Sequence, residues 1–257
     1  MGKRSSTTAS IFADYQMLPT GRMRYTLAQK NLSEMHDLTR PRSVLDAAGG
    51  NGLNTAWLLR SGHAVTLLDQ DSEMLDQGRA RISNSGFQSR CRFLQSRIED
   101  ADRAVGSNRF DLIVCHHIIE YLDDPKETLH VLQRVATAGG ELSLVTLNPV
   151  SEVIRAMVFR HDGALALSKL RSLDYDAKWF GKAKLYSHEQ VAQWAAQAGW
   201  VLQEFRAIRV LADYIPDAEY DDARERQVNE LEIALSNIEP YRRIGRYLQF
   251  CFKKAAA

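Results

Sequence analysis

The run Val44-Leu45-Asp46-Ala47-Ala48-Gly49-Gly50-Asn51-Gly52 sets a carboxylate directly ahead of a glycine-rich turn. Glycines let a backbone turn sharply and approach a ligand closely. Seventeen residues past Gly52, a second apolar run ends in Asp69 and Gln70. A carboxylate there can accept both hydroxyls of a ribose, so the pair of acids and the loop form a nucleoside-binding pattern. A dinucleotide fingerprint would leave the helix N-terminus free for a pyrophosphate. Asp46 lies against that, because its charge repels phosphate and suits an ammonium group. A nucleoside carrying an amino acid and a sulfonium charge is S-adenosylmethionine. The bland alternative is a generic strand–turn–helix unit without a ligand.

These residues need a scaffold, and the apolar runs provide it. SVLDAA (43–48), AVTLLD (64–69), FDLIVCHH (110–117) and GELSLVTL (140–147) alternate with amphipathic helical stretches, among them 126–136. Short buried strands alternating with helices predict a parallel sheet covered on both faces. A helix over 188–198, a long strand over 200–214, a charged helix over about 218–236 and a strand over 246–252 complete the pattern, with Ala138-Gly139-Gly140 as a tight turn. The expected organisation is a disordered tail over 1–10, then a single domain over 11–257. Within it, 11–40 is a helical arm, 41–148 the nucleoside-binding core, 149–186 a lid or substrate insertion, and 187–257 the C-terminal half of the sheet. The insertion follows a strand's carboxyl end, where open α/β sheets bind ligands.

Composition narrows the class. Over 257 residues there are 33 Lys+Arg against 32 Asp+Glu, and 45% are apolar, which excludes disorder, collagen and a histone-like basic protein. Three scattered cysteines without a CxxC pair argue against zinc and disulfides. With no apolar signal region and no membrane-length run, a cytoplasmic protein is expected. The near-zero total conceals a distribution: nine acids and two arginines between Asp213 and Glu239, then five basic residues and no acid between Arg242 and Lys254. RNA phosphates need such a local basic cluster.

The acid-glycine loop, the second-strand acid and the run HHIIEYLDDP resemble the class I S-adenosylmethionine-dependent methyltransferases, with Ala48 in place of the first glycine of D-x-G-x-G-x-G. The resemblance implies a Rossmann-like, mostly parallel seven-stranded sheet with helices on both faces, an N-terminal helical arm and a lid insertion. A narrower resemblance, to the bacterial tRNA 5-carboxymethoxyuridine methyltransferases, covers most of the chain. It rests on Gly21-Arg22-Met23-Arg24, His116 to Tyr121, Leu147-Asn148, Ala198-Gly199-Trp200, Arg209 to Tyr214 and Glu239 to Tyr247. It implies methylation of a wobble-uridine carboxylate to an ester. In one respect the chain departs: Ser168 to Lys184 is only mildly basic and has no proline.

For the donor, the expected ligands are Asp46, Ala48, Gly49, Gly50 and Gly52 at the methionine end and Arg24 on its carboxylate. Asp69 and Gln70 serve the ribose, Arg97 and Ile98 border the adenine, and His116 lines the reactive methyl. For the acceptor, Arg209, Tyr241, Arg242 and Arg246 are expected, with Asn148 and Tyr214 nearby. A carboxylate is already ionised at neutral pH, so positioning rather than a general base would carry the reaction. Bland alternatives stand beside each. His116 and His117 equally fit packed or rim histidines, and His117-x-x-Glu120 has too few ligands for a metal. Arg242, Arg243 and Arg246 equally fit solvated charges on a closing strand. Arg209 equally fits an ion-pair partner of the acidic helix, and Tyr175, Trp179 and Phe180 equally fit lid packing or base stacking. A methyltransferase of a small metabolite and a non-enzymatic S-adenosylmethionine-binding module are the competing functions. A nicotinamide oxidoreductase is disfavoured by the loop spacing.

Overall fold

A strand flanked by neighbours on both sides is buried along its length, and Ser43–Ala47 (β1) is buried from Val44 to Ala47. In the computed structural model it pairs in parallel with Ala64–Asp69 (β2) and with Phe110–His116 (β4). Leu45 stands opposite Thr66 on one side and Ile113 on the other. Cys91–Gln95 (β3) continues the sheet beyond β2, and Ala136–Leu147 (β5) pairs in parallel with β4. With Trp200–Ile208 (β8) and Tyr247–Lys254 (β9), the seven-stranded order is β3-β2-β1-β4-β5-β9-β8. The structure describes residues 14–83, 86–177 and 181–256, so the expected tail over 1–10 and the pair Trp179-Phe180 lie outside the described residues.

The chain divides into two compact units. The larger comprises Asn31–Thr146, His188–Phe205 and Gln249–Ala257. Its core packs Leu32, Val44, Leu58, Val65, Ile82 and Leu112 between sheet and helices. Leu53–Arg60 (α2), Ser72–Ser83 (α3) and Ala101–Val105 (α4) provide the crossovers between the first four strands. Pro125–Val135 (α5) starts where Pro125 occupies the first turn and the Asp124 carboxylate accepts the amides of Lys126 and Glu127, both at 3.0 Å. Trp200 is buried, and its indole N–H donates to the Leu129 carbonyl of α5 at 3.1 Å. A buried indole needs such a partner. His188–Gln197 (α8) leads into that strand.

The smaller unit comprises Met1–Lys30, Leu147–Ser187 and Arg206–Leu248. Pro19–Met35 (α1) begins in it. Within the expected insertion lie two helices, Pro149–Arg160 (α6) and Gly163–Arg171 (α7), and a hairpin of Asp174–Ala177 (β6) with Gly181–Lys184 (β7). Asn148 caps α6, its side-chain oxygen accepting the Val150 amide at 3.1 Å. Asp221 likewise caps Asp222–Leu235 (α9) through the Arg224 amide at 2.7 Å.

Two boundaries differ from expectation. The strand predicted over 200–214 stops at Ile208, because Arg209 takes a left-handed φ of 63° that extended pairing cannot accommodate. Ala138-Gly139-Gly140 is an irregularity within β5, between the Phe110–Ala136 and Leu112–Glu141 pairs, rather than a turn ahead of it.

Trp200→Ala should lower the unfolding free energy by about 3–5 kcal/mol, the usual cost of deleting a buried tryptophan. Urea denaturation followed by circular dichroism measures it; a loss under about 1 kcal/mol would contradict this packing.

Candidate active site

Asp46 and Asp69 end adjacent parallel strands, and the loop 48–52 crosses their carboxyl ends. Asp46 is only 2% exposed. Its Oδ2 accepts a hydrogen bond from Thr55 Oγ of α2 at 2.6 Å. A Cβ built on Gly49 would stand 2.7 Å from the Asp46 Cγ, so the carboxylate itself dictates glycine there. Gly50 and Gly52 adopt positive φ, and a Cβ on Gly50 would meet nothing within 4 Å, which leaves the space above the loop open. Asp69 fastens the loop from the next strand: its Oδ2 accepts the Gly50 amide at 2.8 Å and its Oδ1 the Asp71 amide at 2.9 Å.

Burial sets the charge of this pair. It pushes the Asp46 carboxyl up to about 6, against the pull of the Thr55 hydroxyl, with Asp69 adding to the rise. Burial also raises Asp69, opposed by the amides of Asp71 and Gly50. An isolated negative site at the mouth of a glycine loop accepts a cation and rejects phosphate.

Other expected donor ligands take varied positions. Ala48 adopts a left-handed φ of 56°, the conformation for which glycine is the natural choice. Gln70 is exposed, its carbonyl accepting from Gln95 at 3.3 Å. Arg97 is exposed and bound to Glu99 at 2.7 Å, while the Ile98 side chain is buried. His116, at the end of β4, has both ring nitrogens engaged. Nδ1 faces the Asn54 amide nitrogen at 3.4 Å, and Nε2 meets the Ser143 hydroxyl at 2.9 Å.

Arg24 lies in the smaller unit, together with Arg209 and Arg246. All three are buried, with guanidinium carbons 5.9, 5.7 and 5.7 Å from the Tyr247 ring centre. Arg24 donates to the Tyr25 hydroxyl at 2.9 Å, and Arg209 to the Tyr15 hydroxyl at 2.7 Å and the Thr20 carbonyl at 3.2 Å. Arg246 donates to the Tyr175 hydroxyl at 3.0 Å and pairs with Glu152. Arg209 pairs with Asp213 of its own turn rather than with helix α9, and Asp213 also receives Arg155 at 3.0 Å. The buried arginines thus share their setting with Asp213 and Glu152, with Glu232 close enough to Arg209 to feel its charge. Burial raises the Tyr247 phenol, yet Arg24, Arg209 and Arg246 outweigh it and bring the group below its ordinary value.

The remaining acceptor candidates stay outside this cluster. Tyr241 is 45% exposed, and Arg242 is tied to Glu239 at 2.7 Å. Asn148 is structural, its amide donating to the carbonyls of Arg243 and Gly245 at 2.7 and 2.9 Å. Tyr214 stacks on Phe159, with ring centres 6.1 Å apart. Sequence reasoning missed Tyr15, Tyr25, Glu152 and Glu232. Only Tyr25 carried a signal, the joint recurrence of arginine and tyrosine in GRMRY, RVLADY and RRIGRY. Among the described residues no group of three or more His, Cys, Asp or Glu side chains is placed to hold a metal, and no helix is long and apolar enough to cross a membrane.

Residues 45–144 match the methyltransferase domain model. The fold is shared with a methyltransferase of Mesorhizobium loti, at 14% identity and a TM-score of 0.61, over 89% of this chain and 98% of that one. It is shared also with the 1,6-didemethyltoxoflavin-N1-methyltransferase of Burkholderia thailandensis, solved with S-adenosylhomocysteine bound. There the identity is 16% and the TM-score 0.58, over 96% of this chain and 87% of that one. Residues 45–144 are thus a methyltransferase domain, and the protein is an S-adenosylmethionine-dependent methyltransferase. Among its relatives is the tRNA 5-carboxymethoxyuridine methyltransferase of Escherichia coli K12, 26% identical over 91% of this chain and 89% of that protein. The ubiquinone biosynthesis O-methyltransferase of Erwinia tasmaniensis is 32% identical, over 42% of this chain and 43% of that protein.

Two outcomes follow from the loop. Ala48→Gly should stabilise the protein by about 0.5–1 kcal/mol, because a β-carbon is disfavoured at φ 56°. A destabilised variant in urea denaturation would contradict that. Because the Asp46 pKa is raised on folding to about 6, its contribution to stability is full below its unfolded value and disappears as pH rises through about 6. Asp46→Asn should therefore gain stability relative to wild type between pH 4 and 7, by on the order of 3 kcal/mol without ligand. Parallel pH profiles for the two proteins would contradict this.

Proposed function

We propose that the protein methylates the carboxylate of 5-carboxymethoxyuridine at the wobble position of tRNA, forming a methyl ester. The observation that carries this reading is the buried Arg24–Arg209–Arg246 group around Tyr247, whose three guanidinium groups suit an anionic acceptor. The similarity to the Escherichia coli tRNA enzyme over 91% of this chain supports the same acceptor. Such a substrate implies a cytoplasmic location.

The donor site fits its nucleoside. Asp46 and the backbone of Gly49 to Gly52 take the charged methionine end, Asp69 the ribose hydroxyls, and the turn with Gln70, Arg97 and Ile98 borders the base. Bound S-adenosylmethionine supplies an electron-poor methyl carbon on sulfur. The protein then has no proton to remove, since the acceptor carboxylate is ionised at neutral pH. What remains is orientation: guanidinium groups held by Tyr15, Tyr25 and Tyr175 fix the acceptor's direction of approach. Asp213 and Glu152 already occupy part of that charge. The acceptor is therefore gripped only partially, and its oxygen keeps its nucleophilicity. In the transfer the oxygen–carbon bond forms as the carbon–sulfur bond breaks, and the electron pair leaves with sulfur.

The test is transfer of a labelled methyl group to tRNA that carries unesterified 5-carboxymethoxyuridine. Arg209→Gln and Arg246→Gln should lower kcat/KM for this tRNA by roughly 30- to 1,000-fold, the usual range for removing a buried charged partner, while the Kd for S-adenosylmethionine stays unchanged. Equal turnover by these folded variants would overturn the acceptor assignment. Asp69→Ala should weaken S-adenosylmethionine binding at least tenfold by calorimetry. In wild type that affinity should fall as pH drops below about 6, when Asp46 takes up its proton. Transfer only to a small metabolite would replace tRNA as the acceptor.

A further inference from the structure

Arg209 occupies a position that should not hold still unaided. It follows the last residue of β8, and its left-handed φ of 63° is one that a β-carbon disfavours. What holds it lies 23 residues further on. Glu232, on α9, is 1% exposed, and its carboxylate accepts three successive amides. Oε2 receives Val210 N–H at 2.5 Å, and Oε1 receives Leu211 and Ala212 N–H, both at 2.6 Å. The next residue is Asp213, which pairs with Arg209 and Arg155. One buried carboxylate thus secures the middle of a turn whose first residue is the arginine and whose last is the arginine's counter-ion.

A purely structural need could be met more cheaply, because burying an ionised carboxylate is costly unless every lone pair is used. Here the return is a fixed turn, and the orientation of two charged side chains depends on it. Uncharged glutamine presents one acceptor oxygen and can keep the Leu211 and Ala212 amides but not the third. Alanine satisfies none.

We propose that Glu232 is a positioning residue for the acceptor carboxylate, acting through Arg209 and Asp213. This rests on the acceptor reading above. The experiment compares wild type, Glu232→Gln and Glu232→Ala in the full chain, with tRNA bearing unesterified 5-carboxymethoxyuridine. Hydrogen exchange of the amides of Val210, Leu211 and Ala212 is followed by mass spectrometry in parallel. Exchange should quicken in the order Glu, Gln, Ala. The KM for tRNA should rise in the same order, by at least tenfold for alanine, with kcat within about threefold and the Kd for S-adenosylmethionine unchanged. A role in folding alone would instead reduce the active fraction, so that kcat falls and KM holds. That result, or unaltered exchange at the three amides, would overturn the proposal; if alanine fails to fold, glutamine alone decides by the same criteria. No turnover of this tRNA by wild type would overturn the acceptor reading itself, and with it the role given to Glu232.

Discussion

A carboxylate inside a protein resists ionisation, and Asp46 is buried with one hydroxyl, from Thr55, as its close partner. That single placement governs the rest of the glycine loop. The Asp46 side chain takes the volume a Cβ on Gly49 would need, so the chain must turn there on glycine. Once turned, the loop is fastened from the neighbouring strand by Asp69 on the Gly50 amide. The two acids are neighbours because β1 and β2 run parallel in register, Ala47 opposite Leu68. A sheet of this topology therefore gathers negative charge at one end of its central strands. A ligand that carries its own positive charge relieves the cost of ionising Asp46, which a phosphate cannot do.

The smaller unit applies the opposite electrostatics. Arg24, Arg209 and Arg246 are buried around one tyrosine ring. Arginine tolerates this because its guanidinium stays charged and stacks on aromatic faces. Each is held by a phenolic oxygen as well as by charge: Tyr25, Tyr15 and Tyr175 in turn. Esterification would convert the acceptor from an anion to a neutral group, so such a site prefers substrate over product. The near-balance of 33 basic and 32 acidic residues over the chain hides this separation entirely.

The glycine loop and its two acids were largely legible beforehand, because local signals encode them. Asp46 before its glycines and Asp69 at the end of the next apolar run each belong to a single strand–turn unit, whose spacing survives folding. The parallel sheet with helices on both faces followed from the same alternation. The arginine site was legible only in part. Arg209 and Arg246 stood out as basic residues in motifs, but their grouping with Arg24 did not, and Tyr15 and Glu152 gave no signal. Those groups meet across separations such as the 194 residues between Arg209 and Tyr15, and no periodicity encodes a contact of that kind. The strand predicted through 214 failed for a related reason. Its apolar pattern continues past Ile208, while the backbone at Arg209 is set by the distant Glu232. Tyr241 and Arg242 show the converse, a conspicuous motif that lies on an exposed turn and pairs with Glu239.

The central claim is that a carboxylate, and not a base nitrogen or a ribose hydroxyl, receives the methyl group. Nucleoside mass spectrometry of tRNA treated with the protein and S-adenosylmethionine tests it most directly. The account predicts that 5-carboxymethoxyuridine is converted to a species heavier by one methylene, and that mild alkali returns it to the starting nucleoside, as an ester requires. A methylated nucleoside that survives alkali, or 5-carboxymethoxyuridine left unchanged, would contradict it.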